Sequence, residues 1–582
     1  MRITYNDKLN KLLNPYLESL LKEKSSLEPE TLTLFDLFME DLDMGGRYGI
    51  FSEILEPRLE EIIREENIES IANLMDGRLN TLFRYMLGDE FAGLFHTYLQ
   101  LEARCPHTIG YDRRAQRSAH PSNHLDHARD AWLQFLKLRA TGFSVEAILK
   151  GGNTPEDTEE FSGYMNSSYW LAAQIAQGNE KVIEYLNQVL TSENNVHRLQ
   201  RWYLHAIAIS GHRPLLELEG KLLLAAKLQE GLRQAIVETM DEGCPESYLY
   251  LFSIIYNNGL QRFASVKRSI AVCTGIGEQD SSERITNKYV ELIWNFLNHP
   301  ETARNTLQSK DTVELYLALW SIGFYDTDEI RAIVPDIIRK GAKHQIQTLL
   351  YFLRCTQSSQ MNHLISKDAF EVWHDDPKVV AAILPLYMDG LYLSRYSDNK
   401  EAPTLSDYFE TPEEAVRHYG YLKQVYQSIS AKEIYSPYVF PWDCVVLTRS
   451  DVVLKMAYIA WMTNDIRLRE ELCTYLPALE SYNRASYIGI VLPRTESKVE
   501  QEYVLQSLGD RSADIRDEAY KVLSEMSLSP EQYQHIEELL RFKYSEMRIN
   551  AINLLMKQPE AQLAASIRRL LSDKNAERRL AG

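Results

Sequence analysis

The sequence predicts an all-α chain, a solenoid superhelix of stacked antiparallel helix pairs. Three observations predict it. The segments Ala513–Ala519, Ser545–Ala551 and Ala576–Gly582 are near-copies, each with an Arg followed three residues later by a small residue; Arg516, Arg548 and Arg579 recur at intervals of 32 and 31 residues. Glycines in turn-like contexts, Gly178, Gly211 and Gly243, recur at 33 and 32. Apolar residues fall at helical spacing through most of the chain. A repeat of this length marks helix pairs that cannot bury their apolar faces alone and shelter one another in a row.

Residues 1–150 read as an N-terminal helical region. Leu9, Leu12, Leu13, Tyr16, Leu17 and Leu20 step along one helix face, and a second helix runs from Ile54 to Ile63. Between them Met44-Gly45-Gly46-Arg47-Tyr48-Gly49 reads as a turn. It lacks the Gly-Lys-Ser/Thr of a phosphate loop and the preceding strand of a dinucleotide fingerprint. The polar stretch 104–130 gathers Cys105, His107, His120, His124 and His127 with Arg113, Arg114 and Arg117. His124 and His127 could share a helix face and hold zinc, but their spacings match no finger or ribbon. A polar loop followed by a helix start is the favoured reading.

Residues 151–395 read as degenerate helical repeats. Gly151-Gly152-Asn153-Thr154-Pro155 is a linker. Leu171 and Ile175 precede the turn at Gly178-Asn179, and Val182, Leu186 and Val189 follow it. The next pair carries Tyr203 and Ile207 before Gly211, then Leu215 and Leu222. Trp294, Trp320, Trp373 and many of the 34 tyrosines lie on apolar faces, where core packing is their commoner use. Asp375-Asp376-Pro377 reads as an N-cap with proline in the first turn.

Residues 396–495 read as a helical region with long loops. The polar stretch 394–412 predicts an exposed loop, and Thr411-Pro412-Glu413-Glu414 a helix start. The aromatic, proline-rich stretch 435–448 cannot lie within a helix. It predicts an ordered inter-helix loop or a partner-docking edge. Residues 496–582 hold the clearest repeats. Ile515, Ala519, Val522 and Leu523 share one face; Met547, Ala551, Leu554 and Leu555 repeat the spacing. Ser529-Pro530-Glu531-Gln532 has the capping-box pattern, and Asp510 and Asp573 stand where carboxylates accept orphan backbone N–H groups.

Asp510, Ile515, Arg516 and Ala519, then Met547, Arg548 and Ala551, resemble HEAT repeats of the armadillo type. The resemblance implies that Arg516 and Arg548 stitch adjacent repeats together and are not catalytic. The order and texture of the chain are also similar to large uncharacterised bacterial proteins of the MolR-like class, in which a HEAT-like region precedes a further domain. That similarity implies no known activity. Gly582 falls where Ala519 and Ala551 fall, inside an expected helix, so the chain is expected to be the N-terminal part of a longer protein.

A formal charge of −19 over 582 residues opposes general phosphate-backbone binding. Six scattered cysteines, none in a CxxC pair, fit reduced thiols in a cytoplasmic protein. No apolar run is long enough to span a bilayer. No GxSxG, HExxH, Walker A or kinase signature occurs. We therefore assign no catalytic, cofactor-binding or metal residue. The expected function is a non-catalytic scaffold that binds protein on a concave surface. The alternative is a HEAT-like nucleic-acid-processing module such as a DNA glycosylase-like protein, which would need a basic groove.

Overall fold

The computed structural model describes residues 7–43, 78–105, 135–136, 139, 145, 167–191, 199–225, 229–274, 285–325, 327–356, 359–396, 401–429, 433–437, 444–493, 495–542 and 544–582. The Gly45-Gly46 turn, the Ile54–Ile63 helix, the Gly151-Gly152 linker and the histidines and arginines of 107–130 lie outside these residues. The described chain is predominantly helical. It divides into two compact units, one of Met1–Arg331 with Cys355–Gln357, the other of Ala332–Arg354 with Ser358–Gly582.

The first unit contains α1 (Asp7–Glu23), α2 (Pro29–Asp43), α3 (Arg78–Leu87), α4 (Asp89–Arg104), α5 (Ser167–Ala176), α6 (Glu180–Thr191), α7 (Arg201–Ser210) and α8 (Arg213–Leu223). It continues with α9 (Glu230–Asp241), α10 (Pro245–Asn258), α11 (Ala264–Cys273), α12 (Asn287–Asn298), α13 (Pro300–Thr306) and α14 (Thr312–Tyr325). Helices pack on the second helix along: α5 on α7, α7 on α9, α9 on α11, and in alternation α6 on α8 and α8 on α10. The residues read as one face of each helix are its core. Leu171, Ile175, Val182, Leu186, Tyr203, Ile207 and Leu215 are all buried. Leu222 is only half-buried; Leu216 and Leu223 take the core positions of α8.

The turns between these helices follow from glycine chemistry at two places. Gly211 ends α7 in the left-handed region, at φ 67°, which a side chain would strain. Gly243 is needed for proximity: a Cβ there would stand 2.6 Å from the Ala208 carbonyl oxygen. That carbonyl accepts the N–H of Cys244, so the α9–α10 turn is laced onto α7.

Helices α15 (Thr327–Lys340) and α16 (Lys343–Thr356) follow, then α17 (Ser359–Trp373), α18 (Pro377–Ile383) and α19 (Pro412–Ser428). A hairpin of β1 (Glu433–Pro437) and β2 (Cys444–Thr448) precedes α20 (Arg449–Thr463) and α21 (Ile466–Leu472). The chain then runs through α22 (Ser481–Val491), α23 (Lys498–Ser507), α24 (Ala513–Glu525), α25 (Pro530–Leu539), α26 (Ser545–Leu555), α27 (Glu560–Leu571) and α28 (Ala576–Ala581). The alternating packing recurs: α20 on α22, α22 on α24, α24 on α26, and α21 on α23, α23 on α25, α25 on α27.

Caps anticipated from the residues are formed. Asp376 accepts the N–H groups of Lys378 and Val379, Thr411 accepts that of Glu414, and Ser529 with Gln532 makes a reciprocal capping box. Asp510 and Asp573 instead accept the N–H groups of Ser512 and Asn575, which are themselves the N-cap residues of α24 and α28. Arg516 donates to the carbonyls of Asp510 and Arg511, six and five residues back, and Arg579 does the same to Asp573 and Lys574. Two copies of the repeat thus share one geometry. Ala519 and Ala551 are buried.

The 435–448 stretch differs from the expected loop. Its ends pair as an antiparallel two-stranded sheet, Glu433 opposite Thr448 through Pro437 opposite Cys444. In β2, Val445 and Leu447 are buried and Val446 is exposed, the period of two that a half-covered strand requires. Pro437 costs no ladder bond in the interior because it ends its strand.

Candidate binding surface

Among the described residues, a group of buried and half-buried titratable side chains lies in the second unit, on α17, α19 and the turn after α18. His418 on α19 is fully buried. Its Nδ1 is 2.8 Å from the Tyr387 hydroxyl and its Nε2 is 2.9 Å from Glu371 Oε1. Tyr387 is itself fully buried, and burial holds its phenol well above the ordinary range. The phenol therefore donates to Nδ1 and the ring donates through Nε2, which makes His418 neutral. Burial lowers its pKa, outweighing the pull of Glu371. Burial alone would raise Glu371, but Arg417 at 2.8 Å and His418 bring its carboxyl below the usual carboxylate value. Tyr421 donates to its second oxygen.

Glu414 sits beside this network. Lys367 pairs with it at 3.0 Å and the Glu410 N–H donates to it at 2.6 Å. Glu371, Glu414 and His418 bring one ligand atom each within 4.8 Å of one another, a possible metal set. The donor chemistry opposes that use. Each carboxylate is neutralised by its own cation and both imidazole nitrogens are bonded, so no unpaired charge is left for a divalent ion. The Tyr387 hydroxyl is also sealed from solvent. The network ties α17, the post-α18 turn and α19 together and is not placed to do chemistry on a substrate.

What the network holds in place is a strained turn. Met388 has φ 52°, a conformation a non-glycine residue adopts only when its surroundings force it. His363 does the forcing: its Nδ1 accepts the Met388 N–H at 2.9 Å and its Nε2 donates to the Tyr408 carbonyl at 2.9 Å. Burial keeps this imidazole neutral, at a pKa of about 4. Gly390 then turns with φ 84°, and the chain leaves the turn in neither helix nor strand.

The emerging segment presents aromatic rings. Leu393 is buried as an anchor, whereas Tyr392 and Tyr396 are 68% and 73% exposed. The hydroxyl of Tyr392 lies 3.0 Å from that of Tyr482 on α22, which in turn lies 2.9 Å from Ser394 Oγ. The Leu391 carbonyl accepts the Tyr458 hydroxyl of α20. Arg395 pairs with Asp514 at 2.6 Å, donates to the Tyr396 hydroxyl and lies 4.9 Å from its ring. The start of the 394–412 stretch is therefore not a solvated loop. Ser394 and the Arg395 side chain are buried against α22 and α24, and only the tyrosines face outward. Sequence reasoning marked this stretch as polar and missed the surface, because its anchors, Tyr482 and Asp514, are about 90 and 120 residues away.

Of the cysteine and histidines gathered in 104–130 only Cys105 is described, and it is buried. Burial pushes the thiols of Cys244 and Cys473 up to about 11 and about 12, so neither is a ready nucleophile. Among the described residues no helix is long and apolar enough to cross a membrane.

Among the described residues, the fold and this surface define a predominantly α-helical protein with one small β-hairpin and a pinned, tyrosine-bearing loop. The chain belongs to a family of unknown function, DUF5724, whose model matches residues 34–582. No curated protein and no solved structure matches it.

Proposed function

We propose that the protein is a non-catalytic scaffold of the α-solenoid, HEAT-like kind that binds a protein partner. The observation that carries the reading is the pinned tyrosine loop. Tyr392 and Tyr396 are large side chains held outward on a segment whose backbone is fixed by buried groups. Rigid aromatic side chains lose little conformational entropy when covered, and they dominate the energetics of protein interfaces. Support for the architecture comes from the alternating packing of helices and from the Arg548–Glu577 and Arg516–Glu546 pairs, which join each repeat to the next as the HEAT resemblance implies. The nucleic-acid alternative gains nothing at this surface, since its arginine is already neutralised by Asp514.

The test compares wild type with the Tyr392→Ser/Tyr396→Ser double variant as bait in extracts of the source cells. The variant is expected to melt like wild type, because surface changes usually stay within about 0.5 kcal/mol, and to lose a partner that wild type retains. An identical set of retained proteins would overturn the reading.

A further inference from the structure

Two phenols from distant parts of the second unit meet at the tyrosine loop. The hydroxyls of Tyr392 in the loop and Tyr482 on α22 are 3.0 Å apart, while the ring centres are 6.5 Å apart with planes 33° from each other. The rings therefore approach through their hydroxyl ends, which the ortho carbons flank. Tyr392 is exposed and Tyr482 half-buried, so solvent reaches the pair. The residues on either side of Tyr392 are anchored: the Leu391 carbonyl accepts the Tyr458 hydroxyl at 2.9 Å, and Leu393 is buried. Ser394 Oγ accepts the Tyr396 N–H at 3.3 Å and lies 2.9 Å from the Tyr482 hydroxyl. Other described tyrosine pairs are built differently. Tyr185 and Tyr203 have hydroxyls 3.5 Å apart but cross edge to face at 83°, and Tyr203 is buried. Tyr426 and Tyr475 also cross at 83°, and Tyr98 and Tyr169 are both buried. Tyr396 is exposed, but the Arg395 guanidinium holds its hydroxyl at 2.8 Å and lies beside its ring.

We propose that Tyr392 and Tyr482 form a site of oxidative cross-linking, joined as dityrosine by small one-electron oxidants of the peroxyl-radical or metal-complex class. A phenol yields an electron readily only when its proton leaves as well. The hydroxyl chain from Tyr392 through Tyr482 to Ser394 eases that loss: Ser394 and then Tyr392, bonded to the Tyr482 oxygen, hold its phenol below the ordinary range. In the step, each ring loses one electron to an oxidant and its phenolic proton to solvent. The two phenoxyl radicals carry unpaired electron density on their ortho carbons, and one C–C bond forms between them. Each ortho hydrogen then passes through solvent to its ring oxygen, which restores two phenols. Two oxidants are each reduced by one electron, and two protons are released. Side-chain rotation is fast for an exposed residue such as Tyr392 and brings the coupling carbons together. Both rings are held in contact on one chain, so their coupling outruns the encounter of two chains. The product ties the loop to α22 covalently and fixes the outward ring of Tyr392. No partner protein is needed for this chemistry, so the site is independent of the scaffold reading.

The test exposes the full chain, at low concentration, to photogenerated tris(bipyridine)ruthenium(III) with persulfate as the terminal electron acceptor. Wild type is expected to gain the blue fluorescence of dityrosine while still running as a single chain on a denaturing gel. Peptide mass spectrometry should then find one dominant cross-linked peptide pair, carrying Tyr392 and Tyr482 and lighter by two hydrogens. Tyr392→Phe and Tyr482→Phe each delete only a hydroxyl; each should lose that peptide pair and most of the fluorescence. Tyr426→Phe should keep both. A wild-type product joined mainly through other tyrosines or between chains, the absence of dityrosine, or fluorescence undiminished in the Tyr392 and Tyr482 variants would overturn the proposal.

Discussion

Two glutamates, one in each compact unit, are both completely buried and are treated in opposite ways. Glu500 on α23 is gripped by Arg469 through two bonds of 2.8 and 2.7 Å and accepts the Thr495 hydroxyl. Glu219 on α8 has no hydrogen-bond partner on either oxygen, and burial alone pushes its pKa well above the ordinary value. The first is a charge kept because its partner is built in. The second must be a neutral acid in the folded chain, since an isolated carboxylate cannot bear that desolvation. A buried carboxylate in this protein is therefore no sign of a site by itself; its partners decide what it is.

The comparison breaks most easily at the paired residue. Arg469→Met leaves Glu500 buried and uncompensated, with an expected loss of about 3–5 kcal/mol in urea unfolding monitored by circular dichroism. A loss below about 1 kcal/mol would mean that the pair is not desolvated. The opposite substitution in the other unit should stabilise. Glu219→Leu removes an unsatisfied polar group, with an expected gain of about 1–3 kcal/mol in the same measurement.

The pH dependence sharpens the contrast. Glu219 has a raised folded-state pKa, so the folded chain holds its proton more tightly than the unfolded chain. The stability this contributes is whole below the unfolded value of about 4.3 and is lost as pH rises toward the folded value. Glu219→Gln should thus match wild type near pH 4 and become progressively more stable than it toward pH 7. A gap independent of pH would show that Glu219 has a partner.

His363 runs the other way. Its pKa is depressed to about 4, so its contribution is present above about 6.5 and lost as pH falls between those values. His363→Gln should cost about 1–3 kcal/mol at pH 7 by freeing the Met388 turn and should flatten that acid limb. The smallest effect is expected at the partly exposed repeat pair: Arg548→Ala, opposite Glu577, should cost no more than about 1 kcal/mol.

Much of the helical fabric was legible because its signals are local. Periodic apolar residues gave the core faces of α5 to α8 and of α24 and α26. The Ser529–Gln532, Thr411 and Asp376 caps could be read because a cap and its target lie within three residues. The hairpin at 433–448 was missed because its few paired residues carry too short an alternation beside prolines and aromatics. The start of the 394–412 stretch looked solvated because polarity in a sequence does not show whether a polar group will find a partner.

The sequence by itself determined that this chain is predominantly helical, where its best helices begin, and that Arg516 and Arg579 occupy equivalent positions. Only the tertiary structure decided that His363 strains Met388, that Tyr392 and Tyr396 face outward and that Glu219 stands alone. The physical reason is range. Helix propensity and capping act over a few residues, whereas burial and ion pairing depend on groups that the fold brings together from many turns away.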